Sequence, residues 1–134
     1  MALFGMLGGG KRERPLVLHI DDSQLVLMTA QAMLAGLGYD SIQTLSGADG
    51  VKTAADKKPD LILVDAIMPD MDGYETVVRL RAQKASAETP IIMLTGDDGV
   101  KSVDHAMTCG ANDYLLKPLR EERLKAKLEA LIKR

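Results

Sequence analysis

Five short strand-like runs recur along this chain, each followed by a longer stretch with helical spacing. That alternation restricts the fold more than any single motif does. The runs are PLVLHI (15–20), SIQTL (41–45), LILV (61–64), PIIML (90–94) and DYLLK (113–117). The helical stretches are 23–38, 47–58, 73–84, 99–109 and 120–134. Gly36 and Gly38 end the first and Pro59 stops the second; in the last, Leu124, Leu128 and Leu131 make one apolar stripe. On the third, Val77, Val78 and Leu80 are expected to face inward. Strands and helices in this order give a parallel sheet covered on both faces, joined by right-handed crossovers. LILV carries no polar residue, as a strand buried on both faces requires. With 134 residues and no internal repeat, a single domain over 15–134 is expected behind a flexible leader over 1–14.

Composition removes several function classes. The net charge of −2 gives no basic excess for a phosphate backbone, so no nucleic acid partner is expected. No run approaches the roughly 18 apolar residues that a membrane helix needs. In MALFGMLGGGKRER the positive charges follow the apolar part, the reverse of a secretory signal. One cysteine, Cys109, precludes an internal disulfide and fits a reducing compartment; the cytoplasm is the expected location.

Ligands of such sheets bind outside the carboxyl ends of the strands. Asp21 and Asp22 end the first strand, Asp65 the third, Thr95 the fourth and Lys117 the fifth, so the topology gathers them at one edge. A lone Asp65 could be a loop cap, a metal ligand, a general base or a nucleophile. Together, three carboxylates facing one lysine leave net negative charge to be offset: two carboxylates 4 Å apart repel by about 4 kcal/mol at an effective dielectric near 20. Oxygen ligands of this kind suit Mg²⁺, which keeps several waters and accepts a phosphate oxygen. Lys117 and Thr95 could then hold the oxygens that the metal does not reach. An EF-hand register fails, because it would put Met68 and Arg79 at ligand positions.

Four motifs, HIDDS (19–23), LVDAIMPDMDG (63–73), MLTGDD (93–98) and GANDYLLKP (110–118), carry a resemblance. Over residues 15–133 the sequence resembles the receiver domain of two-component response regulators, the phosphoacceptor fold typified by the bacterial chemotaxis regulator. The resemblance implies a flavodoxin-like (βα)5 fold with strand order 2-1-3-4-5. It implies that Asp65 accepts a phosphoryl group from a sensor histidine kinase or a histidine phosphotransfer protein. Mg²⁺ would be held by Asp22, Asp65 and the backbone carbonyl of Ile67, with Asp21 in support. Thr95 would hydrogen-bond the phosphoryl group, Lys117 would pair with it, and Tyr114 would change rotamer, signalling through the fourth helix, fifth strand and fifth helix. Such a chain is a signalling phosphoacceptor that assists its own phosphotransfer and autodephosphorylation, not an enzyme acting on a separate substrate. With no DNA-binding or catalytic domain expected after residue 134, the expected output runs through contact with a downstream effector protein or through phosphotransfer.

Some positions stand apart. The resemblance implies that Ile67 and Asp97 flank the approach of a hydrolytic water, and branched Ile67 is expected to shield the phosphorus and prolong the signal. His19 stands where an aliphatic residue is usual, and is expected to be a buried neutral imidazole with a hydrogen-bond partner. His105, with Lys101 and Asp104, falls on the outer face of the fourth helix, toward solvent or a partner. An aspartyl phosphatase of the haloacid dehalogenase type needs a second acid two residues after its nucleophile, and Ile67 stands there. The remaining alternative is a receiver fold acting as a phosphorylation-independent adaptor.

Overall fold

The computed structural model describes residues 12–97 and 99–133. Most of the leader expected over 1–14 lies outside them. The strands are β1 (Leu16–Ile20), β2 (Asp40–Thr44), β3 (Leu61–Asp65), β4 (Ile91–Thr95) and β5 (Asp113–Leu116). The helices are α1 (Gln24–Leu37), α2 (Gly47–Lys57), α3 (Gly73–Ala82), α4 (Val100–Cys109) and α5 (Glu121–Leu131). A 3-10 turn over Lys84–Ser86 follows α3, which is therefore shorter than its helical spacing suggests. All strand pairs are parallel and the order is 2-1-3-4-5, as expected.

The period of two along each strand splits the core between the sheet faces. Leu18, Ile20, Ile62, Val64, Ile91 and Met93 pack with Ala54 of α2, Val77 and Leu80 of α3, and Ala106 of α4. Val17, Leu61, Leu63, Ile92, Leu94 and Leu115 pack with Leu34 of α1 and Leu124 and Leu128 of α5. Every residue of β3 is buried, which explains its unbroken apolar run. Burying each of these aliphatic side chains contributes about 1.5–3 kcal/mol. Val78 departs from expectation: it is 45% exposed, while Val77 and Leu80 are fully buried. One step along a helix turns a side chain by roughly 100°, which carries Val78 off the stripe shared by its neighbours at 77 and 80.

Local chemistry fixes the helix ends. Ser23, Ser46 and Asp72 cap α1, α2 and α3, their side chains accepting from the N–H groups of Val26, Asp49 and Glu75. Gly38 ends α1 at φ 99°, a left-handed conformation that disfavours a side chain. At the edge of the sheet away from the strand carboxyl ends, Arg12 donates to the Lys57 and Lys58 carbonyls and Arg14 to those of Ala35 and Gly38. Those carbonyls end α2 and α1, where positive charge is favoured.

Candidate functional site

The parallel register brings the strand ends level. Ile20 lies opposite Val64, Asp65 opposite Leu94 and Thr95 opposite Leu116, so the residues that follow emerge at one edge. The strand order reverses between β1 and β3, the crevice where such sheets bind ligands. Asp21 and Asp22 leave β1 on one side of it and Asp65 ends β3 on the other. Gly73, the first residue of α3, closes against this strand end: its N–H donates to the Ala66 carbonyl at 2.9 Å, and a Cβ there would collide with the Asp65 carbonyl.

Asp21, Asp22 and Asp65 each offer a carboxylate oxygen within 4.8 Å of the others. Asp21 and Asp65 are buried and Asp22 is exposed. Lys117 Nζ reaches across from the end of β5, 2.8 Å from Asp65 Oδ1 and 3.3 Å from Asp21 Oδ2. Burial raises the Asp65 carboxyl above the usual range; Lys117 opposes this incompletely, and the Asp21 charge adds to the rise. Burial would also raise Asp21, yet the His19 ring, the Ser23 N–H and Lys117 together hold it below the usual range. Burial alone would lower the Lys117 ammonium, but Asp65 and Asp21 reverse that and raise it. The lysine is charged and pairs with two carboxylates, Asp65 and Asp21, while the third, Asp22, lies beside them without contacting it among the described residues.

That imbalance, together with Asp21 Oδ2 buried and lacking a hydrogen-bond partner among the described residues, is what a hard cation would relieve. An all-oxygen donor set fits Mg²⁺. Thr95 is buried at the end of β4. Its hydroxyl donates to the Asp97 carbonyl and accepts from the Asp97 N–H, both at 3.1 Å. The Asp97 carboxylate turns toward α4, accepting from the Gly99 N–H at 2.8 Å and the Ser102 hydroxyl at 2.9 Å. Ile67 stands at the mouth of the site, 74% exposed. Tyr114 lies farther along β5, in the seam between α4 and α5. A groove on one side of it is lined by Val100, Val103 and Met107, and on the other by Arg123 and Lys127.

His19 is fully buried, as expected, but neither ring nitrogen has a hydrogen-bond partner among the described residues. Its Nε2 lies 3.7 Å from Asp21 Oδ2, too far for a hydrogen bond though close enough for electrostatic contact. Two steps along one strand put His19 and Asp21 on the same side, but the extended backbone holds them apart. Cys109 is half-buried, and burial with nearby Asp72 and Glu75 pushes its thiol up, away from the reactive thiolate. His105 is stacked on Tyr74 of α3, with ring centroids 4.0 Å apart and planes within 4°. No pattern of spacing announced that contact.

A doubly wound sheet with an acidic cleft at its switch point is the arrangement that a receiver domain requires. The family model described as the response regulator receiver domain matches residues 17–129, and the chain belongs to that family. Protein PilG of Pseudomonas aeruginosa is 36% identical over 114 residues, covering 85% of this chain and 84% of PilG. The alkaline phosphatase synthesis transcriptional regulatory protein PhoP of Bacillus subtilis is 35% identical over 118 residues. That match covers 88% of this chain but 48% of PhoP, so the chain spans about half of that relative. Among solved structures, the Vibrio cholerae chemotaxis protein CheY4 matches with a TM-score of 0.84 and 30% identity, covering 88% of this chain and 98% of that one. The receiver domain of the Pseudomonas aeruginosa sensor histidine kinase PA1611 matches with a TM-score of 0.83 and 31% identity, covering 89% and 98%. That structure has a magnesium ion coordinated in its active site cleft. The chain is a receiver domain of the two-component response regulator family, a family of signalling proteins. Among the described residues no helix is long and apolar enough to cross a membrane.

Proposed function

We propose that Asp65 is the phosphoacceptor, taking a phosphoryl group from a phosphohistidine on a sensor kinase or histidine phosphotransfer protein. One observation carries this reading: Lys117 Nζ at 2.8 Å from Asp65 Oδ1, within a crevice shared with Asp21 and Asp22. A carboxylate oxygen of Asp65 attacks the phosphorus in line. The P–N bond breaks with its electron pair going to the ring nitrogen, and because the donor ring carries a proton on its other nitrogen, the products are an acyl phosphate and a neutral histidine. Mg²⁺ would be held by Asp22, Asp65 and the Ile67 carbonyl with Asp21 in support, and would supply counter-charge for the phosphoryl oxygens. Lys117 pairs with a phosphoryl oxygen. Thr95 gives up its Asp97 contacts and donates its hydroxyl to the phosphoryl group instead. Tyr114 changes rotamer in response, and the face made by α4, β5 and α5 changes its fit to an effector protein.

The mouth of the site suits a protein donor. Leu25 and Met28 of α1 are 73% and 65% exposed and Ile67 is 74% exposed. A groove lined by Leu25, Val26, Thr29 and Leu119 runs up to Lys117. An apolar rim around a polar centre is what a docked helical donor would cover. The proposed partners are therefore proteins, in the cytoplasm, with no nucleic acid contact. The test is incubation with acetyl phosphate, with and without Mg²⁺, followed by NMR on adding beryllofluoride. Labelling that depends on Mg²⁺, with shifts reaching Tyr114 and residues 99–109, is expected. Shifts confined to the loops around Asp65 would overturn the output face.

A further inference from the structure

Helix α4 is held to the rest of the fold by little apolar contact. Ala106 is its one buried residue, whereas α1 buries three, α3 four and α5 two. A helix with so few buried contacts sits at the low end of local stability, where a single contact can decide its position. Gly99 at its start makes no side-chain cap of its own; its N–H donates to the Asp97 carboxylate. At its end, the Arg81 guanidinium of α3 holds the Gly110 carbonyl at 2.9 Å. Between these lies the stack of His105 on Tyr74, face to face at 4.0 Å.

Tyr74 directly follows Gly73, which is wedged against the end of the acceptor strand. The stack thus fastens α4 to a part of α3 that cannot shift without disturbing Asp65. On its other side α4 borders the open groove beside Tyr114, with Val100, Val103, Asp104 and Met107 on the wall. There is space on that side for the helix and the tyrosine ring to rearrange.

We infer that the Tyr74–His105 stack is a latch that holds α4 in the unphosphorylated arrangement, and that activation requires it to open. The inference rests on the acceptor reading of Asp65. A contact made in one state only biases the equilibrium between states, and an aromatic pair is worth a factor of roughly two to ten. Removing it should raise the share of the competent state and, with it, the apparent rate of phosphoryl uptake.

The test compares wild type with His105→Ala and Tyr74→Phe, the second of which keeps a ring to stack. Hydrogen exchange is measured on the unmodified proteins and labelling is measured with acetyl phosphate and Mg²⁺. In His105→Ala the amides of 101–109 should exchange roughly two- to tenfold faster. The strand amides should not change, and labelling should accelerate by a similar factor. Tyr74→Phe should match wild type in both. Unchanged exchange in α4 of His105→Ala would overturn the latch, and so would faster exchange with unchanged labelling, which would mark a merely structural contact. Wild-type protein that takes no label would sink the acceptor reading itself, and the exchange data separate that failure from failure of the latch.

Discussion

Lys117 Nζ stands 2.8 Å from Oδ1 of Asp65, an ion pair drawn from two strands that β4 separates. The pair is outnumbered, since Asp21 shares the same ammonium and Asp22 adds a third carboxylate to the cluster. A cation bound only by the folded protein stabilises it by about 2.7 kcal/mol at a hundredfold excess over its dissociation constant. For a domain of this size that is a rise in melting temperature of roughly 10 °C. Saturating Mg²⁺ should produce such a rise in wild type and much less in Asp22→Ala. An equal rise in both would place the cation elsewhere.

Arg81 joins the end of α3 to the start of β5. Its guanidinium donates to the carbonyls of Gly110, Ser86, Ala87 and Thr89 and to Asn112 Oδ1, and that same amide oxygen accepts the Ile91 N–H. Substitution leaves half-buried acceptors without a donor. Arg81→Ala should lower stability by about 2–4 kcal/mol, given typical losses for hydrogen bonds to charged groups. Urea denaturation with an unchanged slope measures this, and a loss below about 1 kcal/mol would show that water replaces the guanidinium.

With Asp65 as the proposed phosphoacceptor, Ile67 and Asp97 gain a role in how long a phosphoryl group persists. The Asp97 carboxylate is engaged by Gly99 and Ser102, so it is not free to orient a water at the site. The steric effect of the branched side chain at 67 then dominates. Phosphorylated Ile67→Asn should release phosphate faster than wild type, because an amide at the mouth can position a water. Equal or slower release would remove the shielding role.

The same Asp97 contacts give a pH dependence. The Gly99 N–H, then the Ser102 hydroxyl, hold its carboxyl below the ordinary 3.8. A depressed folded value means that the cap contributes stability above the unfolded value and loses it as pH falls through the folded one. Protection factors for the first turn of α4 should therefore decline below pH 3.8 in wild type. Asp97→Asn keeps an acceptor for Gly99 and does not titrate there. The same decline in both proteins would assign the effect to other groups.

Much of this was legible in the sequence, for physical reasons. Five strand-and-helix units follow from hydrophobic periods of two and 3.6, and the unbroken LILV run corresponds to the fully buried β3. The site residues could be grouped before any coordinates, because a parallel sheet puts every strand end on one edge. Val78 shows where the pattern falls short: its apolar character suggests an inward residue, but its angular offset from Val77 leaves it exposed. His19 was given a partner because buried imidazoles usually find one, but strand geometry left it 3.7 Å from Asp21. The Tyr74–His105 stack and the Arg81 hub depend on how neighbouring helices and loops pack, which no local pattern encodes.

The central claim concerns one oxygen atom of one side chain. Intact-mass spectrometry after incubation with acetyl phosphate and Mg²⁺ tests it most directly, comparing wild type with Asp65→Asn. The wild-type chain should gain a single phosphoryl group and Asp65→Asn none. Asp65→Asn labelled to the wild-type level would contradict the account.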